Sequence, residues 1–404
     1  MEPKRPLERK SLVLLAGSGL FVAASLLLAA AGSAVGAAVG VTPVLGGAVK
    51  TARFEPAAVS FVSPLKGWAL GRAACSACAA LRVTSDGGRH WAVLPAPPVS
   101  LWYYKGDSSE TDRRAVRDLA LADSTNGYLY APGLLTTHDG GRSWRRQPLP
   151  PVSQLSLGRG YAFALTHSSS TGRAALWRTP IGQDRWSRLP LPAAAVAPPS
   201  VNAFARLFSL QLSVDGVTFV LLQPGFNGPS SIPHPAGRLW ASNDSGASWR
   251  SIRVPCTKAD GGAAIPVIAF HNRRTWLVDC FDNRQSSQAQ NTEHHLYRSS
   301  DAGGTWKRVS DPTRHNMPAL LADNGNGHTL FATVGGGGDA LVGSFDVGRH
   351  WRLLFRSGGG FFGWADLQFV TRETAFVVGP THYAPEHLYR TDDGGRTWRI
   401  LRVG

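Results

Sequence analysis

Six aspartates occupy the same position of a recurring phrase, Ser/Thr-x-Asp-x-Gly-x-(Ser/Thr/His)-Trp. Carboxylates serve proteins as general acids, general bases and nucleophiles, so a recurring Asp first raises a catalytic hypothesis. Each phrase lies between two apolar runs, however, where Asp and Gly favour a hairpin turn: Gly accepts a positive φ, and a short carboxylate accepts bonds from nearby backbone N–H groups. We therefore expect a structural role for Asp86, Asp139, Asp244, Asp301, Asp346 and Asp393.

The phrase is the mark of an internal repeat. A decayed seventh copy spans Thr179–Trp186, where Ile181 and Gln183 replace Asp and Gly, and successive copies begin 42 to 63 residues apart. Two further runs with the apolar pattern of strands precede each copy, and self-similarity of this kind predicts propeller blades. The fold class predicted for residues 51–404 is therefore all-β, a seven-bladed propeller of four-stranded antiparallel blades.

The same residues carry a family resemblance. The phrase resembles the Asp-box, or bacterial neuraminidase repeat, of sialidase-like propellers. The opening of blade one, Lys66–Gly71 followed by Thr84–Gly88, is similar to the repeat of the photosystem II assembly and stability factors, and Phe369–Gly379 echoes it. The resemblance implies that each box joins the third and fourth strands of a blade at the rim, remote from the ligand face.

The N-terminal region has the composition of a membrane anchor or a signal. Residues 11–49 carry no charged side chain, and a 20-residue apolar run, Leu12–Ala31, follows four basic residues. Such a run is long enough to cross a bilayer, and the basic flank favours a cytoplasmic N-terminus. We expect a cytoplasmic segment at 1–10, a transmembrane helix at 11–31, a linker at 32–50 and an extracytoplasmic propeller at the cell membrane. A cleaved signal peptide and secretion are the alternative.

Cysteines and net charge narrow the class of partner. Four cysteines suit disulfides in an oxidising compartment: Cys75 and Cys78 share one loop, and Cys256 and Cys280 could join adjacent blades. A zinc site through Cys75 and Cys78 lacks a second cysteine pair, so we expect no metal and no cofactor.

The formal charge is +15, and the first ten residues hold four basic and two acidic groups, which leaves about +13 elsewhere. We expect a monomer whose partner is an anionic lipid, glycan, envelope polymer or protein, and not nucleic acid.

Binding residues are expected on the face opposite the boxes. Strands alternate in direction, so the second-to-third and blade-to-blade loops share that face, and these loops vary most in length. Long loops on a rigid scaffold are where binding residues concentrate. The candidates are an aromatic run in one insertion and three charged residues beside inner strands: Trp102, Tyr103, Tyr104, Arg117, Asp118 and Asp366.

Two classes of function fit these observations. The first is a non-enzymatic scaffold that binds or assembles a protein or glycan, as the resemblance to assembly factors implies, with photosystem assembly as its version in a photosynthetic host. The second is a glycoside hydrolase, which needs two carboxylates close together in space. The sialidase Arg-Ile-Pro opening has no counterpart in Ala52–Pro56. The carboxylates to test are Glu55, Glu110, Glu293, Glu373 and Glu386, with Asp118 and Asp366. We expect the scaffold.

Overall fold

The computed structural model describes residues 54–73, 78–101, 115–167, 174–192, 209–212, 219–223, 238–256, 264–282, 293–313, 317–334, 340–356, 364–379 and 387–404. Two compact units divide the chain, residues 1–50 and residues 51–404, and all described residues belong to the second. The described strands form seven four-stranded antiparallel sheets, each built from four strands consecutive in the chain. They are numbered sheet 1 to sheet 7 in chain order.

The first three sheets occupy the N-terminal half of this unit. Sheet 1 consists of β1 (Glu55–Phe61), β2 (Gly67–Arg72), β3 (Ala79–Thr84) and β4 (Ala92–Leu94). A short parallel pair, β5 (Ser100–Leu101) and β6 (Ala115–Val116), precedes sheet 2. Sheet 2 consists of β7 (Asp118–Leu121), β8 (Gly127–Tyr130), β9 (Leu134–Thr137) and β10 (Arg145–Arg146). Sheet 3 consists of β11 (Val152–Gly158), β12 (Tyr161–His167), β13 (Ala174–Pro180) and β14 (Ser187–Leu189).

Four more sheets follow with the same connectivity. Sheet 4 consists of β15 (Ser209–Leu212), β16 (Phe219–Gln223), β17 (Arg238–Ser242) and β18 (Arg250–Ile252). Sheet 5 consists of β19 (Ala264–Phe270), β20 (Trp276–Asp282), β21 (Glu293–Ser299) and β22 (Lys307–Arg308). Sheet 6 consists of β23 (Met317–Asp323), β24 (Thr329–Val334), β25 (Ala340–Ser344) and β26 (Arg352–Arg356). Sheet 7 consists of β27 (Ala365–Phe369), β28 (Ala375–Gly379), β29 (His387–Thr391) and β30 (Arg399–Leu401).

Consecutive sheets pack face to face and share their apolar cores. Trp68 of sheet 1 packs with Leu129 of sheet 2, Val278 of sheet 5 packs in one cluster with Leu239 of sheet 4, and Phe376 of sheet 7 lies against Phe61 of sheet 1. The middle strands therefore need apolar residues on both faces, and strand β28 is buried along its whole length. Because the seventh sheet packs on the first, the sheets close into the ring of a β-propeller.

Polar contacts reinforce the closure between sheets 7 and 1. The guanidinium of Arg390 donates from Nη1 to the carbonyl oxygens of Pro64, at 2.7 Å, and Gly87, at 2.9 Å. Its Nε and Nη2 atoms donate to the carboxylate of Asp392. The Arg390 side chain is almost fully buried, so these bonds form away from bulk water. Sheets 4 and 5 carry a covalent link instead, the disulfide Cys256–Cys280.

Two parts of the expected fold class need correction. The expected seven-bladed propeller of like units is not supported: six of the described sheets contain the Ser/Thr-x-Asp turn, as the six intact copies in the sequence indicate, and sheet 3 joins its last two strands by a different turn in which Asp184 bonds to a neighbouring sheet. The blades are therefore not seven alike units. The N-terminal helix is also not supported, since the described residues contain no helix and the expected span at 11–31 lies outside them. No helix within the described part of the chain has the length and apolar character that crossing a membrane requires.

Replacing Arg390 with Met tests the closure. The variant removes the donors of five bonds, two to the carbonyl oxygens of Pro64 and Gly87 and three to the carboxylate of Asp392. Because unsatisfied buried acceptors are costly, we expect a loss of about 2–4 kcal/mol in the free energy of unfolding, measured with urea. Arg399→Gln is the matched control: it breaks an exposed pair with the same Asp392 and should cost less than about 1 kcal/mol. Equal losses in the two variants would contradict this role for Arg390.

Candidate functional site

The six Asp turns are self-contained. In the first, the Thr84 hydroxyl donates to Asp86 Oδ1 at 2.9 Å and accepts the N–H of Gly88 at 2.9 Å. The same Oδ1 accepts the N–H of His90, four residues beyond the Asp, at 2.9 Å. Equivalent bonds recur in the other five turns. Each carboxylate is thus occupied by its own turn, which agrees with the structural role that the spacing predicts.

Electrostatics at the turns agree with this geometry. The backbone N–H and the hydroxyl of Thr305, followed by the hydroxyl of Ser299, lower the pKa of Asp301 to about 2. A carboxylate that is ionised at every physiological pH and fully hydrogen-bonded is a poor general acid. Three of the turn tryptophans, Trp249, Trp306 and Trp351, connect neighbouring sheets: the indole N–H of Trp306 in sheet 5, for example, donates to the carbonyl oxygen of Arg253, which follows sheet 4, at 2.8 Å.

The turn of sheet 3 uses its aspartate differently. Asp184 Oδ2 accepts bonds from Thr136 Oγ1 at 2.8 Å and Gln147 Nε2 at 2.9 Å, and lies 3.2 Å from His138 Nε2. All three partners belong to sheet 2 or follow it directly. Asp184 therefore fixes sheet 3 to sheet 2, in place of the internal turn bonds that the sequence has lost.

A second group of charged residues lies at the opposite end of the ring. The Asp turns join third to fourth strands, and antiparallel order puts the start of every first strand at the other end. Asp118 is the first residue of β7, and Asp366 is the second residue of β27. Sheets 7, 1 and 2 are consecutive in the ring, so both aspartates lie where the innermost strands enter it. We call Arg117, Asp118, Tyr130 and Asp366 the mouth cluster.

The backbone directs the Asp366 side chain into this cluster. Its φ is +52°, in the left-handed region that short polar residues tolerate best, and the strand register shifts between Ala365 and Gln368. Asp366 Oδ2 accepts the N–H of Val59 on the innermost strand of sheet 1 at 2.9 Å. Ala131, directly after Tyr130, also has a positive φ, of 66°. Two residues with a positive φ therefore lie at this mouth, and others lie in the turns, as at Ser245 and Ala302.

Three ionisable groups of the mouth cluster, Arg117, Asp366 and Tyr130, have raised pKa values. Arg117 donates from Nε and Nη2 to Asp118 Oδ2, at 3.1 and 3.0 Å, and Asp118 is the main cause of the raised pKa of Arg117. Burial, and then the charge of Asp118, raise the pKa of Asp366 to about 8, against the opposing effects of Val59 N–H and Arg117. Burial also raises the pKa of Tyr130 well above its usual value. At neutral pH the mouth thus presents an ion pair beside a protonated carboxyl group and a phenol.

The structure joins three of the expected site residues. Arg117, Asp118 and Asp366 meet at the mouth, whereas Trp102, Tyr103 and Tyr104 lie outside the described residues. Tyr130 was not among the candidates, although its register opposite Asp118 on β8 brings it to the cluster. Among the other carboxylates, Glu55 pairs with Arg72, and Glu110 and Glu386 lie outside the described residues. Glu373 lies beside the turn of sheet 7, at the far end of the ring.

The cysteines form disulfides where they are described. Cys256 and Cys280 are bonded to each other, which confirms one expected disulfide. Cys78 is also disulfide-bonded, and Cys75 lies outside the described residues. The part of the chain that the structure describes contains no group of three or more His, Cys, Asp or Glu side chains that could hold a metal ion.

Comparison with known proteins identifies the fold. No family model matches the chain. A curated relative, the xyloglucanase Xgh74A of Acetivibrio thermocellus, is 26% identical over 196 residues, which are 40% of this chain and 22% of the enzyme. The match thus spans about a fifth of the length of that relative.

Two solved structures of YCF48 have a similar architecture. YCF48 bound to a D1 peptide gives a TM-score of 0.52 at 19% identity, over 84% of this chain and 93% of that chain. YCF48 from Cyanidioschyzon merolae gives a TM-score of 0.51 at 16% identity, over 85% of this chain and 94% of that chain. At this level of identity the likeness shows a β-propeller and no more.

Asp366→Asn tests the protonated carboxyl directly. A group whose pKa rises from about 4 in the unfolded chain to about 8 in the folded chain stabilises the fold below pH 4, and that stabilisation is lost as the pH rises to 8. The side-chain amide of the variant cannot ionise, but its oxygen can still accept a hydrogen bond from the Val59 N–H. We expect the variant to gain stability relative to the parent between pH 5 and pH 8.5 in urea unfolding. A difference that does not change with pH would contradict the assignment.

Proposed function

We propose that the chain is a non-enzymatic β-propeller scaffold that captures a protein partner at the mouth cluster. The observation that carries the proposal is the placement of Asp366: its side chain lies on a bulge with a positive φ, accepts the Val59 N–H at 2.9 Å, and lies beside the Arg117–Asp118 ion pair, where its pKa is raised. The described cluster offers hydrogen-bond donors and acceptors side by side, which suits an extended peptide backbone. The structure of YCF48 bound to a D1 peptide supports this reading, because that protein has the same fold and a peptide ligand.

The partner that fits is an acidic or carboxylate-bearing protein segment. The Arg117 side chain is half exposed at the mouth, and the chain outside its first ten residues carries about +13, since those ten hold four basic and two acidic groups. A net positive charge on the protein raises the local concentration of oppositely charged ligands. A protonated Asp366 adds no negative charge that would repel such a segment.

We also propose that the propeller is exported and tethered. The apolar run Leu12–Ala31, its basic flank and the disulfide Cys256–Cys280 support an anchor at 11–31 with the propeller outside the cytoplasm. We propose, in addition, that the six Asp turns are copies of the Asp-box, or bacterial neuraminidase, repeat. Alkaline extraction of membranes from the native host should leave the chain in the pellet, and release into the supernatant would contradict the anchor.

A capture experiment with the full chain tests the scaffold. Membranes of the native host are solubilised, and the proteins retained by the parent chain and by its variants are quantified. We expect Asp366→Ala and Arg117→Gln to lose most of the captured protein, and Asp366→Asn, which mimics the protonated acid, to retain it. The control is Arg142→Gln on the Asp-turn face, where the Arg142 side chain donates from Nη1 to the carbonyl oxygen of Asp139 at 2.9 Å in the Asp turn of sheet 2.

The pH dependence makes the capture test sharper. Capture by the parent should weaken above pH 8, where Asp366 ionises, whereas capture by Asp366→Asn should not. Equal capture by all four variants, each shown by circular dichroism to be folded, would overturn the mouth as the binding site.

Glycoside hydrolysis is the second candidate, and one observation favours it. A protonated Asp366 near an ion-paired Asp118 resembles the acid and the carboxylate that glycosidases require, and the partial match to a xyloglucanase agrees with it. Because the scaffold has no need of turnover, we expect no hydrolysis of xyloglucan, β-glucans or sialosides by the full chain. Hydrolysis abolished by both Asp118→Asn and Asp366→Asn would replace the scaffold with an enzyme.

A further inference from the structure

The outermost strands of the sheets differ around the ring in a regular way. One position, two residues after the turn tryptophan, is equivalent in every sheet. It is Val93 in sheet 1, Leu353 in sheet 6 and Ile400 in sheet 7, all strongly exposed at 72%, 53% and 52%. The other sheets carry polar or basic residues there: Arg146, Arg188, Ser251 and Arg308. We call Val93, Leu353 and Ile400 the apolar arc.

The shared position distinguishes these three residues from ordinary surface apolar residues. Single exposed apolar side chains are common on soluble proteins and need no explanation. Sheets 6, 7 and 1 are consecutive in the closed ring, however, and the three residues occupy one equivalent position. The remaining outer strands follow the usual protection of an exposed sheet edge, which is to carry Arg or Lys.

Basic residues flank the arc in sheets 6 and 7. Arg352 and Arg399 directly precede Leu353 and Ile400, and exposed Arg356 and Arg402 follow on the same chain segments. Asp392, on the turn before Ile400, is paired with Arg390 and Arg399. Apolar side chains bordered by guanidinium groups match an anionic lipid surface, where the apolar groups enter the headgroup region and the cations meet the phosphates. A second copy of the chain fits less well, because its arc would bring Arg against Arg.

We propose that the apolar arc docks the propeller on an anionic lipid bilayer. Each protruding side chain would leave water for the boundary between headgroups and acyl chains, and the flanking arginines would add attraction that salt weakens. This surface is distinct from the mouth cluster, so docking through the arc and capture at the mouth can succeed or fail separately.

Site-specific probes on the full chain test the arc, since they do not depend on how the chain is otherwise held to the vesicle. The three described cysteines are all in disulfides, so an introduced cysteine can be labelled selectively with an environment-sensitive nitrobenzoxadiazole dye. Val93→Cys, Leu353→Cys and Ile400→Cys report on the arc. The matched controls are Arg146→Cys and Arg308→Cys, at the equivalent position of sheets 2 and 5.

The labelled chains are reconstituted with phosphatidylcholine vesicles that contain or lack phosphatidylglycerol. We expect a blue shift and a several-fold rise in emission at the three arc positions with phosphatidylglycerol, reversed by high salt or by Arg352→Gln with Arg399→Gln, and no change at the controls. Emission that is equal at arc and control positions, or that does not depend on phosphatidylglycerol, would overturn the proposal. A blue shift that follows protein concentration without vesicles would assign the arc to self-association instead.

Discussion

The fold depends on one constraint: a four-stranded sheet with two apolar faces cannot bury both of them alone. Each sheet therefore needs a neighbour on either side, and the seventh must meet the first. The contacts of Arg390 with the first Asp turn, and of Asp366 and Gln368 with β1, complete this last interface. Local turns, cross-sheet tryptophans and one disulfide then hold the sheets in register, and they leave the two ends of the ring free to differ.

Ring closure also explains the unusual carboxyl group at the mouth. The innermost strands converge on the axis, so side chains at their entrances share one confined space. Asp366 is placed there by a bulge and bonded to the backbone of a neighbouring sheet, and burial beside Asp118 keeps it protonated near neutral pH. The same closure forces the outermost strands to the circumference, where sheets 6, 7 and 1 expose apolar side chains and the others expose polar or basic ones.

Local features could be predicted from the sequence, and features that depend on neighbouring sheets could not. The Asp turns were predictable because every bond lies within about seven residues, as in Thr84–Trp91. The bulge in β27 was not predictable, because the left-handed conformation of Asp366 depends on how this strand pairs with its neighbour and packs against sheet 1. Asp184 was equally hidden, because its partner His138 is 46 residues away. Tyr130 reaches the mouth only through its register with Asp118.

The central claim is that closure of the ring creates a buried, protonated carboxyl group at the face that receives a partner. The most direct measurement is the titration of the Asp366 carboxyl carbon by nuclear magnetic resonance, assigned by comparison with Asp366→Asn. We predict a pKa of about 8 in the free protein, with a shift when the captured partner is added. A carboxyl group that titrates near pH 4, as in an unfolded chain, and does not respond to the partner would contradict the account.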